Sequence, residues 1–95
     1  MTTTDKPHTD FPDLAPFIDA ETFAAMQRVT SDPKSCGLNI NRPEDEYAIA
    51  QLKTLRSETG VCFIRNDRGD GWIEINGYGR AYVHWREWAE RRARV

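Results

Sequence analysis

The chain reads as an α+β protein: two N-terminal helices, a small antiparallel β-hairpin or three-stranded sheet, and a C-terminal helix. Three features of the sequence support this. Before residue 60, apolar residues recur at helical spacing; from Val61 to Ile75 the period drops to two around the turn-rich stretch NDRGDG; beyond residue 84, acids precede bases by four positions. Helices over one face of a small antiparallel sheet are the packing solution for such a set of elements. With 95 residues there is room for one core, so 11–95 is expected to form a single domain. Residues 1–10, polar and without periodicity, are expected to be a disordered tail.

Each element has its own warrant. The strip FPDLAPFI is apolar but interrupted by Pro12 and Pro16, which predicts an extended stretch or a single turn. Asp19 follows as an N-cap, with Glu21 near the positive end of the dipole of a helix over about 20–30. That helix lines up Phe23, Met26 and Val29 or Thr30, and Ser31-Asp32-Pro33 ends it. Residues 32–42 read as a loop with Leu38 and Ile40 as buried candidates. The second helix starts at Pro43 with Glu44, Asp45 and Glu46 in its first turn. Its stripe is Ala48, Ile49, Leu52 and Leu55, and Gly60 stops it.

For the hairpin, a turn centred on Arg68-Gly69 sets Ile64 against Ile73 and Cys62 against Ile75, an apolar face. The other face then pairs Arg65 with Trp72 and Phe63 with Glu74. Beyond Asn76-Gly77-Tyr78-Gly79 the pattern forks. Residues 80–84 alternate as a short third strand would, the reading favoured here, while Tyr78, Tyr82, Trp85 and Trp88 also fit one helix from about residue 80. The helix at 84–94 carries the pairs Glu87/Arg91 and Glu90/Arg94.

Composition narrows the function. No apolar run approaches the roughly 18 residues of a membrane span, and the N-terminus lacks the apolar core of an export signal. Cys36 and Cys62 match no metal spacing and read as free thiols, so a cytoplasmic location is expected. Residues 1–60 carry ten acids against six bases; residues 61–95 carry seven arginines against five acids. That weak asymmetry falls short of the basic stripe of a general nucleic-acid binder.

Motif look-alikes fail on chemistry. Arg68-Gly69-Asp70 spells an adhesion tripeptide, but Gly and Asp are what a hairpin turn requires. A calcium loop over the same stretch would set Arg68 where an oxygen ligand belongs and Gly77 where a bidentate carboxylate belongs. Gly77-Tyr78-Gly79 has no phosphate-loop lysine after it. Cys62 and His84 are the one conceivable nucleophile–base pair, yet Cys62 alternates with apolar strand residues, where an inert thiol is the default. No cofactor or metal site is expected, and no enzymatic activity.

What remains is the aromatic content after residue 60: Phe63, Trp72, Tyr78, Tyr82, Trp85 and Trp88. One small core cannot easily bury all six, and in the hairpin register above Phe63 and Trp72 point outward, unless the FPDLAPFI strip or the last helix covers them. Tryptophan, tyrosine and arginine dominate binding hot spots. The sequence therefore predicts a non-enzymatic interaction module, an adaptor, regulator or inhibitor of a larger protein. Phage-encoded inhibitors of host defence are comparable in size and composition alone. Its contact residues would be Phe63, Arg65, Trp72, Tyr78 and Trp88, toward another protein or a second copy as a homodimer. The alternative is a nucleic-acid accessory protein using Arg65, Arg68, Arg80 and Arg86 around stacking aromatics.

Overall fold

Asp19 begins the first helix, α1 (Ala20–Ser31), by accepting the Thr22 N–H on its Oδ1 at 2.9 Å. Its other carboxylate oxygen accepts the Tyr47 hydroxyl from the second helix. That bond, then the Thr22 amide, holds the Asp19 carboxyl below the usual carboxylate range, and the same bond pushes the Tyr47 phenol up. The computed structural model describes residues 11–66 and 69–93; the expected disordered tail lies outside the described residues, as does Arg68. The fold is α+β, with three helices and a small three-stranded antiparallel sheet among the described residues.

The second helix, α2 (Pro43–Thr59), has Pro43 in its first turn and ends at Gly60, which takes φ +81° and donates its N–H to the Arg56 carbonyl. Ala48, Ile49, Leu52 and Leu55 are buried along it. Asp45 is fully buried as well, so it does more than offset the helix dipole. It ion-pairs with Arg28 of α1, accepts the Asn39 amide at 3.0 Å, and lies 3.9 Å from Arg42 Nε. One carboxylate thus ties α1 and α2 to the segment around Asn39. Replacing Arg28 with alanine leaves this buried charge short of its main partner and is expected to cost about 3 kcal/mol. Urea unfolding measures it, and adding Asp45→Asn in the same chain should restore part of the loss, because the double variant has no charge left to strand.

The sheet comprises β1 (Leu38–Asn39), β2 (Ile64–Arg65) and β3 (Trp72–Ile75), with β3 central in the order β1-β3-β2. Three sequence expectations change here. The third strand comes from the 32–42 loop, not from residues 80–84, with Leu38 opposite Ile73 and Asn39 opposite Trp72. Leu38 is buried as expected, but Ile40 is 46% exposed. The hairpin register is offset by two residues: Ile64 faces Ile75, and Arg65 faces Glu74. A shift of two preserves which residues share a face, so Ile64, Ile73 and Ile75 remain together.

The fork after Asn76 resolves as one helix, α3 (Gly77–Ala93), with no strand at 80–84. Asn76 is the reason. Its backbone N–H closes the hairpin on the Phe63 carbonyl, its Oδ1 accepts the Gly79 N–H at 2.7 Å, and its Nδ2 donates to the Cys62 carbonyl at 2.9 Å. The residue that follows β3 therefore caps α3. Gly79 then lets the helix lie on the hairpin, since a Cβ there would sit 2.7 Å from Ile75 Cγ2 and 2.8 Å from the Phe63 carbonyl oxygen.

The inner side chains Leu38, Ile73 and Ile75 join Phe23, Met26 and Val29 of α1 and Ile49, Leu52 and Leu55 of α2 in one core. The FPDLAPFI strip forms a single turn, with Phe17 and Ile18 amides both reaching the Leu14 carbonyl, and buries Phe11, Leu14 and Ile18.

Candidate interaction surface

The five predicted contact residues do not form one patch. Phe63 is corrected outright: it is fully buried, not outward. Its ring lies 6.1 Å from Phe11, 5.5 Å from Tyr78 and 5.1 Å from Tyr82. Phe11 is the lid of this cluster, with Tyr78 at 4.9 Å, Tyr82 at 5.3 Å and Trp85 at 5.7 Å. The N-terminal strip and α3 together cover what the isolated hairpin would have exposed. Tyr78 is 45% exposed at the rim, one side of its ring on Phe11.

Arg65 and Trp72 lie elsewhere, on the sheet face opposite the core. Because Leu38, Ile64, Ile73 and Ile75 share the inner face, alternation places Asn39, Arg65, Trp72 and Glu74 on the outer one. Trp72 sits across from Asn39, and Glu74 across from Arg65. Arg65 is exposed, while Trp72 and Glu74 are half-buried. The result is one indole within a polar row. Trp88 is at the far end of α3, about 15 Å along the helix from Tyr78, half-buried with the Arg92 guanidinium 5.5 Å from its ring centre.

The arginines divide by engagement. Arg86 stacks 4.2 Å over Phe23, donates to the Ile18 carbonyl at 2.8 Å and to the Tyr82 hydroxyl at 3.2 Å, and pairs with Glu90. It braces the strip and α1 against α3. The expected partner of Arg91, Glu87, accepts Gln27 of α1 at 2.8 Å. Arg80 is exposed at the mouth of a shallow groove of about 240 Å³ with Ser35, Cys36 and Glu74.

Both cysteines are free; the half-buried Cys62 thiol, just ahead of β2, donates to the Ile64 carbonyl at 3.2 Å, while His84 is exposed on α3. Among the described residues no three His, Cys, Asp or Glu side chains converge as metal ligands, and no helix is long and apolar enough to cross a membrane. The sequence reading missed a second groove of about 370 Å³ between α2 and β2, lined by Lys53, Arg56, Ser57, Ile64 and Asn66. Only the alternation of helix positions 53, 56 and 57 away from the Leu52/Leu55 stripe hinted at a shared outward face. No family model, curated protein or solved structure matches the chain.

Proposed function

We propose that this chain is a non-enzymatic protein-interaction module, a small regulator or inhibitor, that docks a partner protein on the outer face of its sheet around Trp72 and Arg65. The observation behind this reading is the placement of Trp72: an indole on the face that the core does not use, flanked by Asn39, Glu74 and Arg65. A tryptophan ringed by groups that hydrogen-bond and pair charges matches the make-up of a binding hot spot and its rim. Tyr78 and Trp88 lie off this face and are secondary in the proposal, and Phe63 supports it from within the core. The nucleic-acid reading is weaker, because Arg86 is already committed to Ile18, Tyr82, Phe23 and Glu90.

A photo-crosslinking amino acid at position 72, compared with the same group at the exposed Ala50 of α2, tests the proposal in cells. A discrete adduct at 72 that is missing at 50 is expected. An adduct of twice the chain's mass would identify the partner as a second copy. Trp72→Ala should weaken capture of the crosslinked partner by about thirtyfold or more, the size of a hot-spot loss. Identical adduct patterns at both positions, or a nucleic-acid adduct at 72, would overturn the reading.

A further inference from the structure

The groove between α2 and β2 has a different chemistry from the Trp72 face. β2 is an edge strand, since the sheet order leaves β3 on one side of it only. The hairpin hydrogen bond from Asn76 N–H to the Phe63 carbonyl makes 63 and 76 a bonded pair. In an antiparallel ladder the next pair, Ile64 and Ile75, is then of the non-bonded kind, so the Ile64 N–H and C=O point away from β3 toward the open edge, where the carbonyl takes the Cys62 thiol on one lone pair and keeps the other for a strand amide. That edge borders the groove formed with Lys53, Arg56 and Ser57.

Both cations are exposed, and neither makes an ion pair among the described residues. Arg56 lies in the last turn of α2, where it offsets the helix dipole, but Lys53 is a turn earlier and has no such role. An unpaired edge is a template for another strand, and natural proteins blunt or cover such edges. Here the edge is flanked by positive charge and floored by an isoleucine. Those three properties specify one occupant: an extended peptide with acidic side chains toward Lys53 and Arg56 and an apolar one toward Ile64.

We infer that the α2–β2 groove is a docking site for an acidic, extended peptide segment, which adds as a strand to the Ile64 edge while its carboxylates meet Lys53 and Arg56. The main-chain bonds supply register, and the two cations supply selection by charge. This site does not depend on the Trp72 face.

The test uses a fluorescein-labelled peptide, Glu-Val-Glu-Val-Glu-Val, titrated with the full chain and read by fluorescence anisotropy at low and physiological salt. Saturable binding that weakens with salt is expected. The double variant K53E/R56E should bind about tenfold more weakly or worse, and a peptide with proline for its central valine should lose comparable affinity because a donor is missing. Both substituted positions are exposed, and far-UV circular dichroism confirms that the variant is folded. The Trp72→Ala variant should bind the peptide as the parent does, so the two sites succeed or fail separately. The inference is overturned if the peptide does not bind, if K53E/R56E binds it equally, if the proline peptide binds equally, or if a short DNA duplex binds the groove more tightly than the peptide.

Discussion

Replacing Gly37 with alanine is expected to cost about 3–5 kcal/mol, the sum of a forbidden backbone conformation and a collision with the sheet. Gly37 takes φ +118°, and a Cβ there would lie 2.4 Å from the Ile73 carbonyl oxygen and 3.1 Å from Glu74 Cα. Those are backbone atoms of the central strand, so no side-chain rotation relieves the contact. The chain must lift β1 off β3, and with it Leu38, which is fully buried, and Asn39, whose amide is bonded to Asp45. Against a total stability of roughly 5–15 kcal/mol for a small domain, this is a loss of about a fifth or more. Gly60→Ala is the control: its φ is +81°, but nothing lies within 4 Å of its added carbon. It should cost about 1 kcal/mol, from the dihedral angle alone. Urea midpoints for the two variants separate strain from contact, and equal losses would mean that β1 does not approach β3 this closely.

Phe11→Ala should be nearly as damaging, at about 3–4 kcal/mol. The ring is 8% exposed and meets four others, on Phe63, Tyr78, Tyr82 and Trp85. Edge-on and tilted aromatic contacts add to the burial itself. Because the strip has only one turn of its own hydrogen bonding, losing the ring should release it from α3. The expected signs are a lower urea midpoint, a weaker near-ultraviolet dichroism band and a red-shifted tryptophan emission as Trp85 meets water. Cleavage by a protease between residues 12 and 17 should accelerate in step. An unchanged near-ultraviolet band would refute the packing described for this cluster.

Much of the fold was legible in the residues because its signals are local. The Asp19 cap, the proline-led acidic start of α2 and the Gly60 stop are each set by groups a few positions apart. The inner and outer faces of the hairpin followed from alternation and survived a register error, since a slip of two residues leaves the faces unchanged. The start of α3 was harder. Glycines at 77 and 79 resemble a turn, and Gly79 is there for its closeness to Ile75 and, above all, to Phe63, which lies remote in sequence.

The candidate surface was only half legible. Arg65 and Trp72 share the outer face because cross-strand geometry requires it, but Phe63 could not be placed by the hairpin alone. It is the hairpin residue nearest the chain reversal into α3, where the helix and the strip close over it. β1 was read as loop because a two-residue strand has no measurable period; its existence depends on β3 offering an unpaired side. Likewise, Lys53 and Arg56 are ordinary exposed helix cations until β2 is laid beside them.

By itself, then, the sequence determined a first helix at about 20–30 and a second from Pro43 to the Gly60 stop, the α+β class and the division of the hairpin into an apolar and a polar face, because caps, periods and turns act over a few residues. Tertiary structure alone decided which aromatics are buried, that the third strand is Leu38–Asn39, that α3 begins at Gly77, and that a basic groove opens beside β2. Each of those outcomes rests on contacts between residues distant in the chain: Phe11 with Phe63, Gly37 with Ile73, Gly79 with Phe63, and Arg56 beside Ile64. Local propensity is silent about such pairs, and the energy that selects them exists only once the core has closed.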